Sequence, residues 1–493
     1  MRAVILAIGD EILLGQQADT NSAWLASALA EAGFLPIEFR AVADDRAAIA
    51  EALRDGARRA EVVVSTGGLG PTLDDLTRDA LCDVVDPGAA LVVDADALAA
   101  LQRWFEGRGR AMNPANRVQA MRPPRARMLP NPNGTAPGLA ATAALPLAAH
   151  GAASAGRGVV AGAPRPPGAT TAFFCLPGPP REMQPMFRDH VAPALAALAR
   201  ATAAPGAEAT AILVAAVAQV GLGESDAAAL LGDLMRRDRV PSVGTTASGG
   251  VVTARIRIQA PRALIDEARR ALEATVAEVE ARWRPYAFGR DGATLVEGIR
   301  DLLLPARGML AVAESCTGGL LGATIVDLAG SSAFFAGGLL TYTNELKRAL
   351  LGVPESLLAE HGAVSEQVAR SMALGAIERT GATCSIAITG IAGPDGGSAL
   401  KPAGTTFVGI ALRPADGTAA ARSEASATTE IRRFRFPGSR RDVRERAATM
   451  ALQMLRLALL RRGPGAADGG AAVAPDSHGT PLLWEVPIGG ERP

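Results

Sequence analysis

Lysine is almost missing from this chain. Of 50 basic residues only two, Lys347 and Lys401, are lysines, which leaves 48 arginines. Arginine stays charged at any accessible pH, whereas lysine can lose its proton when desolvated or crowded by positive potential. A chain that uses arginine almost everywhere has kept lysine at two positions, which favours a special role for Lys347 over that of an exposed cation. Asparagine is also scarce: Asn21, Asn113, Asn116, Asn131, Asn133 and Asn344 are the whole set, in loops that also carry Gly and Pro. Four cysteines, Cys82, Cys175, Cys316 and Cys384, lie far apart with no C-x-x-C pair. That spacing argues against a disulfide framework or a zinc knuckle and suits a reducing compartment. There is no excess of either charge, with 50 basic and 50 acidic residues, so a polyanion-binding surface is not expected. Long apolar runs are absent too. Ala3–Ile8 is too short for a signal sequence and runs into Asp10 and Glu11, and the Ala-rich stretch from Val191 to Val220 is broken by Arg200, Pro205 and Glu208. The expectation is a cytoplasmic protein with no direct nucleic-acid contact and no membrane span.

With 493 residues, the chain exceeds what one hydrophobic core supports, and two to four domains are expected. Residues 1–200 alternate short β-branched runs, such as Val4–Ile8 and Val62–Val64, with helical stretches that Asn21 or Ser22 and Asp44 or Asp45 can cap. That pattern predicts a doubly wound, three-layer α/β domain. Within it, the Ala/Gly/Pro-rich residues near 140–168 read as a flexible insertion. Residues 205–290 read as a small α+β connector and residues 291–462 as a second doubly wound α/β domain. Residues 463–493 read as a disordered tail.

In the third segment, a strand through Ala313 runs into Glu314-Ser315-Cys316-Thr317-Gly318-Gly319 and a helix. This places Ser315 at the carboxyl end of a strand, where open α/β sheets bind ligands. The amides of Gly318 and Gly319 are candidate donors to a developing oxyanion. A Ser/Thr cap with packing glycines explains the same residues equally well. Thr341-Tyr342-Thr343-Asn344-Glu345-Leu346-Lys347 shifts the balance. Lys347 falls in the first turn of a helix, where the dipole disfavours a cation, and burial there would lower its pKa toward that of a general base. A Ser–Lys pair is a nucleophile with its base. Tyr342 would relay the proton or orient Lys347, or else be a core aromatic. Cys316 is the rival nucleophile, yet His361 is the only histidine in this segment. Gly390–Gly397 forms a Gly-rich loop that permits close approach of a ligand or is a plain turn, and Arg440 and Arg444 share one face of a helix opened by Ser439, which suits a phosphate or equally two solvated arginines.

In the first segment, Asp10, Glu11, Asp44, Gly67, Gly68, Asp74 and Asp75 all fall at strand ends of one sheet. Gly-rich turns before a helix suit phosphate, and converging carboxylates suit a divalent cation on a pyrophosphate. Thr72-x-x-Asp75 also reads as a capping box with Asp in place of Glu.

Five motifs in order, Ala313–Gly319, Thr341–Lys347, His361–Glu366, Thr389–Gly397 and Lys401–Thr406, resemble the nicotinamide mononucleotide deamidase family. That resemblance implies hydrolysis of the carboxamide to nicotinate mononucleotide and ammonia. Ser315 would be the nucleophile, Lys347 its base and Tyr342 an assisting hydroxyl, with Thr317, Gly318, Gly319, Gly393 and Arg440 on the substrate. No cofactor is implied. Gly9–Glu11, Asp44-Asp45, Thr66–Asp75, Asn131–Gly138 and Leu176–Pro179 resemble the MoaB/MogA-type domain that opens full-length proteins of the competence/damage-inducible CinA family. This implies a molybdopterin-binding-like fold, a KH-like connector and, in some members, metal-assisted hydrolysis of ADP-ribose, with Asp44 and Asp75 as the metal-side residues. No G-x-x-G loop stands where a nucleic-acid-binding KH domain would carry it. Small nucleotides are the expected partners and a homodimer the expected assembly. Two other readings stand beside the enzyme: a competence or DNA-repair accessory protein that binds other proteins, and a molybdopterin-binding protein without turnover.

Overall fold

The computed structural model describes residues 1–144, 165, 168–201, 210–414, 427–462 and 482–488. The chain forms two compact units, Met1–Leu213 with Gln259–Ala268, and Val214–Ile258 with Arg269–Pro493.

In the first unit, strands Leu35–Val42, Arg2–Ile8, Val62–Thr66 and Thr170–Leu176 lie parallel in that order, and Gly138–Ala144 and Arg127–Leu129 extend the sheet antiparallel. Successive strand residues point to opposite faces. Val4, Leu6 and Ile8 pack with Ile49, Leu53, Leu81 and Val84, while Ala3 and Ile5 pack with Leu25, Leu29, Met183 and Phe187. Both faces are covered, which is why the first strand carries no polar alternation. Helices Thr20–Glu31 and Pro180–Met186 serve one face, Arg46–Arg59 and Thr77–Val85 the other.

The expected cap Asn21 or Ser22 is corrected to Asp19, which accepts from the Ser22 amide at 2.9 Å and leaves the Asn21 side chain free for another task. Asp45 caps the next helix, accepting from Ala48 at 2.8 Å. The expected flexible insertion is corrected at residues 140–144, because Gly138–Ala144 is a ladder strand against Thr170–Leu176. Arg165 is buried, and its guanidinium donates to the Ala60 and Thr170 carbonyls. The rest of that expectation, residues 145–164 and 166–167, lies outside the described residues.

A four-stranded sheet in the order Ser242–Ser248, Val251–Pro261, Thr210–Val220, Ala287–Arg290, with helix Ile265–Trp283, makes up the connector. Trp283 is fully buried and its indole N–H donates to the Ala227 carbonyl at 2.8 Å, so the ring's polar edge is satisfied in the core.

The last domain repeats the first one's logic. Strands Phe335–Leu340, Leu310–Glu314 and Cys384–Gly390 are parallel, and Thr405–Leu412, Thr428–Arg435 and Glu485–Val486 continue antiparallel. Ala311, Ala313 and Ala387 pack against Leu351, Val368, Met372 and Ala376. Helix Arg440–Arg461 also packs on this sheet, opened by a capping box of Ser439 and Asp442. The tail expected to be disordered is corrected at Leu482–Ile488, where Glu485–Val486 adds a strand; the rest of the tail lies outside the described residues. Both domains are three-layer α/β, each with parallel strands at the site and antiparallel strands beyond. Among the described residues no helix is long and apolar enough to cross a membrane.

Candidate active site

Strand Leu310–Glu314 delivers Ser315 to the sheet edge, where its amide donates to the Ile388 carbonyl at 3.0 Å. The next strand over ends at Leu340, and the Thr341 amide donates to the Glu314 carbonyl at 2.8 Å. The chain then turns into helix Asn344–Leu351, capped by Thr343 and closed by Gly352 in the left-handed region. That turn brings Lys347 back under Ser315. Lys347 is 1% exposed, and its Nζ lies 3.1 Å from Ser315 Oγ, 2.9 Å from the Thr341 carbonyl and 3.2 Å from the Tyr342 carbonyl.

These three contacts suit a base. A neutral amine has two hydrogens for the two carbonyls and one lone pair for the serine hydroxyl; after taking the proton, the ammonium donates to all three. Burial, partly opposed by Cys316 and Glu345, holds the Lys347 pKa below its ordinary 10.5. Lys401, the other lysine, donates to the His361 carbonyl at 3.0 Å and ties two loops together. Cys316 is buried and its thiol is pushed up to about 11 by that burial, so it stays protonated at neutral pH and is a poor rival to Ser315.

The expected oxyanion donors are corrected. The Gly319 amide donates to Glu314 Oε2 at 3.0 Å and the Gly318 amide to the Ser315 carbonyl at 3.1 Å. Glu314, 1% exposed, also accepts from Leu321 at 3.1 Å and Gly322 at 2.8 Å, so an internal carboxylate already occupies this helix start. Among the described residues the amides of Cys316 and Thr317 donate to no other residue, and they directly follow the nucleophile in the chain. Thr317 is wholly buried, with its Oγ1 unpartnered among the described residues and its carbonyl held by Arg444 at 3.2 and 2.7 Å.

Tyr342 is corrected as well. Its carbonyl meets Lys347, but its hydroxyl accepts from Arg440 at 3.0 Å and the side chain is exposed. Arg440 also donates to the Gly393 carbonyl at 2.9 Å, so it joins the Gly-rich loop to the rim of the site. Arg441 is solvent-exposed and paired with Glu445 at 2.6 Å. Of the three neighbouring arginines, Arg440 and Arg444 face the site. Gly390 is required by space: a Cβ there would meet Thr406 Oγ1 at 2.6 Å and Cys316 Sγ at 3.1 Å.

In the first unit, a 490 Å³ cleft opens at the carboxyl ends of the parallel strands, lined by Glu11, Asp44, Gly67, Gly68, Asp74 and Asp75 among others. Asp10 does not line it; Asp10 and Asp44 exchange hydrogen bonds with each other's amides at 3.0 and 3.2 Å. Burial raises the Asp44 pKa, and the charges of Asp10, Glu11 and Asp74 add to the effect, against the hydrogen bond from the Asp10 amide. Asp75 is engaged within its own loop, accepting from the Gly70 amide at 2.6 Å, the Thr72 amide at 2.9 Å and the Thr72 hydroxyl. Among the described residues no three His, Cys, Asp or Glu side chains converge as a metal's ligand set. Asp44 and Asp75, the expected metal pair, thus do not form a ready-made cage.

Several residues here were not singled out as site residues. Asn21 donates to the Gly178 carbonyl at 2.6 Å and to Thr66 Oγ1 at 3.1 Å, pinning two strand ends. Buried Glu182 accepts from Asn131 at 2.8 Å, and buried Arg78 donates to the Leu69 and Gly70 carbonyls. The scarcity of asparagine was the available signal for Asn21 and Asn131; nothing in the sequence pattern marks Arg78 among 48 arginines.

Residues 292–459 match the family model described as the CinA C-terminal domain, residues 4–197 the "Probable molybdopterin binding domain" and residues 217–289 the "Damage-inducible protein CinA KH domain". The chain is 40% identical over 461 residues to a protein of Symbiobacterium thermophilum named as competence-damage inducible, covering 93% of this chain and 99% of that one. A CinA-like protein of Geobacter metallireducens is 36% identical over 462 residues, covering 93% and 100%. The crystal structure of competence/damage inducible protein CihA from Agrobacterium tumefaciens is 38% identical, covering 34% of this chain and 93% of that one, with a TM-score of 0.30.

Proposed function

Starting from the fact that this chain belongs to the CinA family of competence- and damage-inducible proteins, with a MoaB/MogA-like first domain, we propose that its last domain hydrolyses the carboxamide of nicotinamide mononucleotide. The observation that carries this reading is the buried Lys347 Nζ at 3.1 Å from Ser315 Oγ. Lys347 takes the Ser315 proton as Oγ attacks the carboxamide carbon. The carbonyl oxygen becomes an oxyanion facing the amides of Cys316 and Thr317, a kind of donor worth about 3–4 kcal/mol to such a transition state. The Lys347 ammonium then returns its proton to the leaving nitrogen, the C–N bond breaks, and ammonia departs from an acyl-serine. Water, deprotonated by Lys347, attacks the ester carbon; the ammonium then returns that proton to Ser315 Oγ as the C–O bond breaks and nicotinate mononucleotide departs. No cofactor enters this scheme. Arg440 is the contact for the substrate's phosphate, and its bond to Tyr342 Oη supports a role for that hydroxyl toward the substrate instead of toward the base.

The test is ammonia release from nicotinamide mononucleotide by the full chain and by Ser315→Ala. Release by the first and none by the second is expected; equal release by both would remove Ser315 from the mechanism.

The first domain supports a second reading, hydrolysis of ADP-ribose to AMP and ribose phosphate. The Gly67-Gly68 turn and the carboxylates of one cleft suit a pyrophosphate and a cation that arrives with it. Phosphate-ester products should appear when divalent metal is added to ADP-ribose and the full chain, and their absence with every metal tried would end this reading. Four buried, unpaired cysteines fit a reducing, cytoplasmic setting for both. The relatives' names leave an accessory role in competence as the alternative, which complete inactivity on both substrates would favour.

A further inference from the structure

The segment Leu482–Val486 lies beyond the CinA C-terminal match, which ends at residue 459. It is nevertheless built into the same compact unit as the amidase site. Its strand pairs Arg433 with Val486 and Phe434 with Glu485, and Glu485 forms an ion pair with Arg432 at 2.8 Å. Leu482 is buried, and the Leu483 amide donates to the Gly221 carbonyl of the connector at 2.7 Å. Gly250 of the connector faces the Trp484 ring so closely that a Cβ there would sit 2.9 Å from it.

Trp484 is the working end of this strap. Its ring meets Phe436 edge-on at 5.6 Å, and Phe436 stacks on Phe434 at 5.2 Å. The Trp484 carbonyl accepts from the Arg435 amide at 3.0 Å. The Arg446 guanidinium lies over the indole at 5.0 Å and donates to the Pro437 carbonyl. Pro437, Gly438 and Ser439 are the turn that presents Arg440. Trp484 and Arg440 also line one cavity of 490 Å³, together with Gly393, Pro394 and Arg435. The tail thus holds the turn on both sides, through Phe436 before it and Arg446 after it.

We propose that Trp484 is a positioning residue for the phosphate end of the substrate, acting by fixing the Pro437–Ser439 turn and hence the Arg440 guanidinium. This rests on the amidase reading above. Ser315 and Lys347 follow other strands, Leu310–Glu314 and Phe335–Leu340, and neither lines the cavity that Trp484 and Arg440 share. Loss of the indole therefore weakens recognition of the phosphate and spares the chemistry at the carboxamide.

The experiment compares the full chain, Trp484→Ala, Trp484→Phe and a chain ended after residue 481, using nicotinamide mononucleotide and its phosphate-free riboside. Trp484→Ala and the shortened chain should raise KM for the mononucleotide by about tenfold with kcat little changed, as expected when binding common to ground and transition states is lost. Hydrolysis of the riboside should be unaltered, and Trp484→Phe should retain most of the mononucleotide affinity. If the shortened chain does not fold, as judged by its melting curve, the point variants carry the test. An unchanged mononucleotide KM in Trp484→Ala, or an equal fall on both substrates, would overturn the proposal while leaving the amidase intact. No hydrolysis by the unaltered chain would remove the amidase reading and this one with it.

Discussion

Lys347 Nζ and Ser315 Oγ stand 3.1 Å apart, 32 residues distant in sequence, because two neighbouring parallel strands end at the same sheet edge. The lysine's other contacts are main-chain carbonyls, which accept a hydrogen bond from the amine in either charge state. No carboxylate forms an ion pair with Lys347 among the described residues, and the charge of Glu345 opposes only part of the effect of burial.

The pH dependence follows from that environment. The base must be neutral, so kcat/KM should rise with pH as Lys347 loses its proton and level off below the ordinary lysine value of 10.5, because burial lowers its pKa. Lys347→Arg should cut turnover by about 10²–10⁴-fold, the usual range for a general base, since arginine does not deprotonate. A pH–rate profile of both proteins checks this. Retained turnover in Lys347→Arg would rule out a deprotonated lysine.

The adjacent Arg440 and Arg441 should separate. Arg440→Ala should raise KM for the mononucleotide by about 10- to 100-fold, the worth of a lost charge-assisted contact of roughly 1.5–3 kcal/mol. Arg441→Ala should leave kinetics unchanged, because Arg441 is exposed and bound to Glu445. Equal effects from both would point to a general loss of positive potential.

Glu314 is a structural carboxylate in this account. It gathers the amides of Gly319, Leu321 and Gly322 and so shapes the loop that carries Ser315. Glu314→Ala should cost about 3 kcal/mol or more of stability by stranding these donors. Urea unfolding checks it, and a cost within experimental error would contradict the role.

Asp75 should behave as a loop brace. Asp75→Ala releases the Gly70 and Thr72 amides and should increase proteolytic nicking at 70–75, whereas Asp44→Asn should leave the loop's protease resistance unaltered. Limited proteolysis of the two variants distinguishes them, and identical patterns would refute the division.

Much of this was legible in the sequence. Buried parallel strands announce themselves as unbroken β-branched runs, and the rarity of lysine singled out Lys347. What the sequence could not show was who holds whom across the fold. Gly318 and Gly319 looked like free donors because their partner, Glu314, is a carboxylate that folds back on the next turn. Tyr342 looked like a relay because its neighbour Lys347 is close in sequence, while Arg440, 98 residues away, takes its hydroxyl. Asp75 matched both a capping box and a metal ligand, and only the loop's three hydrogen bonds decide for the brace. The Trp484 strap follows a Gly/Ala/Pro-rich stretch whose composition gives no hint of a returning strand.

The most direct measurement is of the covalent intermediate. The full chain is mixed with nicotinamide mononucleotide, quenched in acid within the first turnover, digested and weighed by mass spectrometry. A nicotinate mononucleotide acyl adduct is expected on the peptide carrying Ser315 and is absent from Ser315→Ala. An adduct on Cys316 with Ser315 unmodified, or ammonia release undiminished in Ser315→Ala, would contradict it.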